Sequence, residues 1–250
     1  MKIFLDVGAH EGQSLLALFD PKYGFDKIFA FEPVKQLHPI LNKLTAGRKN
    51  VTLLDYGLWN KNAEEKIYSP GTLAGSMYPA HHDVDKNAFE ICRFVSASEW
   101  FKANIKEGDE VYVKLNCEGA EADILLDLLN SKEIFKIKNV MIDFDINKVT
   151  GKEDSERLVL DSFKKAGFTN YSICAAVMFG PVHAIRIQSW LDAVGAAKTG
   201  VKSQITQFIY WLNMIALNNR PGYSWEAKQF VKRFVPELVL KKLRSARRKP

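Results

Sequence analysis

Short apolar runs alternate with helical spacings through the first 167 residues, and this alternation narrows the fold more than any other feature. Ile3–Val7, Ile28–Phe31, Val51–Leu54, Val111–Leu115 and Val140–Phe144 read as strands. Gly12–Phe19, Gln36–Leu44, Ser98–Asn104, Glu121–Asn130 and Ser155–Ala166 carry helical periodicity, the last closed by Gly167. Strands separated by helices of 8 to 12 residues imply an α/β fold: a Rossmann-like, doubly wound, mostly parallel sheet with helices on both faces. Two further runs, Tyr171–Val177 and Val182–Ile187, are expected to pair through Gly180-Pro181 as a hairpin forming an antiparallel edge. The expected organisation is a domain over residues 1–187 and a basic helical extension over residues 188–250.

Composition excludes several classes. The chain is 47% hydrophobic and 26% charged, as in a globular protein with a real core. The apolar stretch 205–217 contains Gln207 and Asn213 and is shorter than the roughly 20 residues a membrane span needs. Cys92, Cys117 and Cys174 lack paired zinc-site spacing and read as reduced thiols. With no signal-peptide pattern at Met1, the expectation is a cytoplasmic protein. Net charge is +6, but residues 220–250 carry ten Lys/Arg against two Glu, so the remaining 219 residues stand at −2. An evenly basic nucleic-acid binder would not be built this way.

FLDVGAHEG lies where the first strand turns into the first helix, and FAFEP ends the second strand. Gly8 and Gly12 let the backbone turn tightly and approach a ligand, and Asp6 can accept hydrogen bonds at the strand end. Glu32, about 20 residues past Gly12, stands where an acid can take both hydroxyls of a ribose. The third glycine of a dinucleotide loop is missing, and Glu11 would repel a pyrophosphate. A cofactor with an adenosine, no phosphate and a zwitterionic amino-acid end fits better, namely S-adenosylmethionine. The competing reading is a structural glycine turn with an unrelated surface acid.

The segments FLDVGAHEG, FAFEP, VTLLDYGLWN, GTLAGSM, VYVKLNCEGAEADILL and VMIDFD, in that order over residues 1–187, resemble the FkbM-type family of S-adenosylmethionine-dependent methyltransferases. The resemblance implies transfer of a methyl group to a hydroxyl oxygen, on a sugar of a glycan or lipid-linked saccharide. It also implies that Asp6, Gly8, His10 and Gly12 surround the methionine part of the cofactor. Glu32, followed by Pro33, would hold the ribose, with Gly57 and Leu58 against the adenine. Two positions depart from the family pattern. His10 stands where asparagine is usual, and Asn116 where aspartate is usual, which takes a carboxylate from that edge.

Ligands of doubly wound sheets bind beyond the carboxyl ends of the strands, so VKLNCEGAE should bring Asn116 and Glu118 to the transferred methyl group. Glu118 could act as base or orient the acceptor, and Asn116 could bridge cofactor and substrate. Lys114 within the strand needs a partner once buried, and Glu118 or Glu121 is the expected one. A buried Lys–Glu pair that only fixes the loop is the structural alternative. Glu121 and Asp123 read as helix-start residues. In YPAHHDVD, His81 and His82 beside Asp83 could bind a metal, supply a base, or be ordinary loop residues; His81 is carried forward as a base, and no metal site is assigned. Asp143 and Asp145 are expected on opposite faces of the fifth strand, one reaching the acceptor pocket.

The basic tail interleaves Trp225, Phe230 and Phe234 with Lys228, Lys232 and Arg233. Such a segment can lie on an anionic membrane surface through residues 220–250, or pack as a helical extension. The function expected from the whole is O-methylation of a saccharide acceptor. A non-catalytic cofactor-binding module and a nucleic-acid methyltransferase are the alternatives, and no Asp/Asn-Pro-Pro-Tyr/Phe motif supports the last.

Overall fold

The computed structural model describes residues 1–177 and 182–197, all within a compact unit that spans Met1–Lys198. Residues 198–250 of the expected tail, with the membrane surface at 220–250, and the Gly180-Pro181 turn lie outside the described residues.

Six parallel strands form the main sheet: β1 (Lys2–Val7), β2 (Lys27–Phe31), β3 (Val51–Leu54), β7 (Glu110–Leu115), β8 (Ile137–Ile142) and β9 (Tyr171–Ile173), in the order β3-β2-β1-β7-β8-β9. Between β3 and β7 the chain builds a second sheet from β4 (Gly57–Trp59), β5 (Ala63–Tyr68) and β6 (Phe89–Ser96), in which β5 and β6 are antiparallel. This small sheet fills much of the segment between residues 54 and 98, where neither strand nor helix was expected. The order reverses between β1 and β7, and there the two strand ends part and open a crevice.

Strand alternation distributes the core. Ile3, Leu5, Val7, Val111, Val113, Val140 and Ile142 point to one face, covered by α3 (Ala97–Asn104), α4 (Glu121–Asn130) and α5 (Ser155–Ala166). Phe4, Ile28, Ala30, Tyr112 and Met141 point to the other, covered by α1 (Gln13–Leu18), α2 (His38–Thr45) and, after the short α6 (Cys174–Val177), by α7 (His183–Ala193). The cap chemistry is local. Ser96 accepts the Glu99 amide at the start of α3. Gly167, at φ 73, ends α5 while the Phe168 amide returns to the Phe163 carbonyl.

The expected terminal hairpin is corrected. Tyr171–Ile173 pairs in parallel with β8, and residues 183–193 form a helix rather than a strand. Period two and period 3.6 both fit a run as short as Val182–Ile187; burial of Ile187, Trp190 and Leu191 against Phe4 and α1 decides for the helix. The boundary expected at residue 187 therefore falls inside α7. Antiparallel pairing does occur, in the second sheet. No helix among the described residues is long and apolar enough to cross a membrane.

Candidate active site

The parallel register sets Asp6 beside Lys114, both inside the sheet on the α1/α7 face. Their charged atoms lie 3.1 Å apart with almost no exposure. Lys114 also donates to the Gly8 carbonyl at 2.5 Å. Its expected partner, Glu118 or Glu121, is thus corrected to Asp6, because both glutamates follow the end of β7 while Lys114 still lies within it. Burial raises the Asp6 carboxyl above its ordinary range, and Lys114 opposes the rise.

Beyond these strand ends lies a cavity of about 500 Å³, a size typical of small-molecule sites. Gly8 (φ 81) forms part of its wall, and a Cβ there would stand 1.9 Å from the Asn116 carbonyl oxygen, so only glycine lets β1 and β7 approach this closely. His10 (φ 48) follows, also on the wall, and both of its ring nitrogens are buried with no hydrogen-bond partner among the described residues. Glu32 closes the loop from the neighbouring strand, accepting the His10 amide at 2.8 Å and the Val34 amide at 2.9 Å. Burial raises its carboxyl, and the two amides pull against the rise. Val34, Leu37, Ile67 and Phe94, from one small apolar cluster, line a further part of the wall together with Gly57, Leu58 and Pro33.

The ends of β7 and β8 supply the polar wall. Asn116 donates its side-chain N–H to Asp143 at 3.0 Å. β8 stops at Ile142, and a 3-10 turn over Asp145–Lys148 follows, so Asp143 and Asp145 both line the cavity. This corrects their expected division between two faces, since residues two apart share a face even in a strand, and Asp143 supplies a carboxylate at the edge where Asn116 lacks one. Glu118 (φ 52) and Gly119 (φ 118) make a left-handed turn that sends the Glu118 side chain to the cavity, 3.3 Å from the Lys148 ammonium. A β-carbon at 119 would press on Tyr78 and Val149. Burial and the neighbouring Asp145 push Glu118 up to about 8, against Lys148. Glu121 is wholly buried and accepts the Cys117, Gly119 and Ile146 amides, holding this turn from the start of α4, while burial drives its carboxyl up to about 7. Asp123 takes hydrogen bonds from Trp59 and Tyr78.

Of the other expected site residues, three do not reach the wall. Asp6 is shut behind Lys114. Gly12 caps α1 at φ 84, where an added β-carbon would meet the Leu44 and Leu41 side chains. His81 is buried beneath Glu118, its Nε2 3.5 Å from the carboxylate, while His82 is exposed. Among the described residues no three His, Cys, Asp or Glu gather into a metal-binding group. His183 was missed because its segment read as a strand. It opens α7 at the cavity wall, 3.0 Å from Ser14, and burial, then the charges of Lys114 and Arg186, lower it to about 4. Lys148 was missed too, since a lone loop lysine carries no sequence signal. Burial works against its charge, but Asp145 and Glu118 carry its pKa upward.

No protein-family model and no curated protein sequence matches the chain. Among solved structures it is similar to methyltransferase FkbM from Methylobacillus flagellatus KT, with 15% identity and a TM-score of 0.39, over 64% of this chain and 37% of that one. The chain spans little more than a third of that protein's length.

Proposed function

We propose that this chain is an S-adenosylmethionine-dependent methyltransferase acting on a hydroxyl oxygen. The carrying observation is the Gly8–His10 loop tied by Glu32 at the mouth of the β1/β7 crevice. The wall suits that cofactor. Gly8 leaves room for a close backbone approach, the His10 nitrogens await a polar partner, and the apolar stretch around Leu58 and Phe94 suits an adenine. Each Glu32 oxygen retains acceptor capacity for a ribose hydroxyl after taking one amide. Glu32, Asp143 and Asp145 outnumber Lys114 and Lys148 on the wall, and Lys114 is already paired with Asp6, which favours a ligand of net positive charge.

When bound, the cofactor supplies an electrophilic methyl group. Asn116 and Asp143 would supply the polar rim of its site, and Glu118 would take the acceptor's hydroxyl proton. A base titrating near the working pH combines availability with driving force, and Glu118 stands there. A saccharide is the acceptor class in this reading, with residues 220–250 as a tether to an anionic surface that carries it. Calorimetry with S-adenosylhomocysteine tests the proposal. We expect micromolar binding by the full chain and at least a tenfold loss in Glu32→Gln. Absence of heat with the native chain overturns the reading.

A further inference from the structure

The loop between β5 and β6 is stapled to the segment after β8. The Thr150 amide donates to the Ala80 carbonyl at 3.1 Å, the His82 amide donates to the Lys148 carbonyl at 3.1 Å, and His81 and Val149 form an antiparallel bridge between them. This staple inserts the His81 ring, whose side chain has no exposure, under Glu118. The Asp83 amide donates to His81 Nδ1 at 3.2 Å. An acceptor at Nδ1 places the proton of the neutral ring on Nε2, and Nε2 faces Glu118 Oε2 at 3.5 Å. That nitrogen has no hydrogen-bond partner among the described residues. Burial and Lys148 keep the ring below its usual pKa and hence neutral, while Asp83 and Asp145 oppose them and His82 reinforces them.

We propose that His81 is a positioning residue for Glu118: its backbone-fixed tautomer sets an N–H beneath the carboxylate, holding the side chain turned toward the cavity and favouring its charged form. The sequence offered His81 as the base itself, but its ring does not line the cavity. The catalytic residue in this arrangement is Glu118. In a methyl transfer from S-adenosylmethionine, Glu118 would take the proton that the acceptor hydroxyl gives up and return it to solvent after product leaves. Hydrogen bonds of this kind are often long in the free enzyme and tighten in the reacting complex. Lys148 and Asp145, from the turn after β8, are the other charges facing Glu118.

The inference rests on the proposed function, yet its test does not need turnover. In the full chain labelled with 13C at the glutamate carboxyls, Glu118 is assigned by its absence in Glu118→Gln and titrated by NMR. His81→Phe keeps the ring volume and removes the donor, which disfavours the carboxylate, so the Glu118 midpoint should rise by about one pH unit. His81→Gln, which retains an N–H, should bring it part of the way back. In native protein labelled with 15N-histidine, His81 should carry its proton on Nε2. An unmoved Glu118 midpoint in His81→Phe, or a proton on Nδ1, overturns the proposal. If His81→Phe does not fold, the native tautomer and the His81→Gln midpoint decide. Absence of S-adenosylhomocysteine binding by the native chain sinks the methyltransferase reading alone and leaves these titrations intact. With turnover in hand, His81→Phe should lower kcat and leave the methyl donor's KM within about twofold, a split that loss of packing alone would not give.

Discussion

Asp6 and Lys114 stand side by side in the register of two adjacent parallel strands, their charges 3.1 Å apart inside the sheet. A buried pair is costly to break because the remaining partner keeps its desolvation penalty, and losing one member typically costs about 3–5 kcal/mol. Lys114→Met should therefore destabilise strongly, and the double variant Asp6→Asn with Lys114→Met should recover much of the loss. The sign of the pH dependence follows from Asp6. Its folded pKa is raised, so the native state holds the proton longer than the unfolded chain does, and stability falls as pH climbs from the ordinary carboxylate range toward the folded value. Removing Lys114 raises that value further. The cost of Lys114→Met in urea denaturation should be small near pH 4 and grow as pH rises through the folded Asp6 value; a cost that does not vary with pH contradicts the pairing.

Gly8 meets the Asn116 carbonyl where the two halves of the sheet part, and the obstacle to a side chain there is backbone rather than a flexible tip. Gly8→Ala should force β1 from β7 and cost several kcal/mol. Gly47→Ala and Gly108→Ala have similar positive φ but open space around the would-be β-carbon, and should lose only about 1 kcal/mol each. Equal losses at the three positions in denaturant melts would remove the close approach as the reason for glycine at residue 8.

His10 contributes two buried ring nitrogens without a hydrogen-bond partner among the described residues, a cost in the free protein that a polar ligand group would offset. His10→Phe should leave the fold as stable as before or more so, and should weaken S-adenosylhomocysteine binding about tenfold, the equivalent of one hydrogen bond. His10→Asn should be the mildest change, because asparagine tolerates the left-handed conformation seen here at φ 48 and keeps a polar side chain. Unchanged affinity in His10→Phe, measured by calorimetry, would separate this residue from the ligand.

Much of the sheet could be read from the chain because Ile3–Val7, Ile28–Phe31 and Val111–Leu115 bury nearly every residue, and short continuous apolar runs set between helical spacings suit parallel strands covered on both faces. The strand-end residues Gly8, Glu32, Asn116 and Glu118 follow from the same logic, since topology alone sends them to the cavity. What sequence could not supply were relationships across long separations. Lys114 finds Asp6 through the β1–β7 register, and His183 reaches Ser14 only because α7 packs on α1. Short runs failed for a different reason. Val182–Ile187 satisfies both periodicities, and the face left open beside Phe4 and Leu15 determines which is adopted. β5 was hidden because its residues, AEEKIY, bury only Ile67.

Glu118 gives the sharpest test of the chemistry. It reaches the cavity from a left-handed turn, and burial together with Asp145 pushes its carboxyl up to about 8. A base works in its deprotonated form, so kcat/KM should rise with pH and level off above an apparent pKa near 8, a limb far above that of an ordinary carboxylate. Asp145→Asn removes the neighbouring negative charge and should move this limb downward, increasing activity at about pH 6.5 relative to the plateau. Lys148→Met removes the opposing positive charge and should move it upward. Glu118→Gln should abolish the limb and lower turnover by about 10² to 10⁴, the usual span of general-base catalysis. Its affinity for S-adenosylhomocysteine should stay within a few fold if Glu118 serves the acceptor as proposed. A rate profile unmoved by Asp145→Asn and Lys148→Met alike would assign the proton transfer to another group.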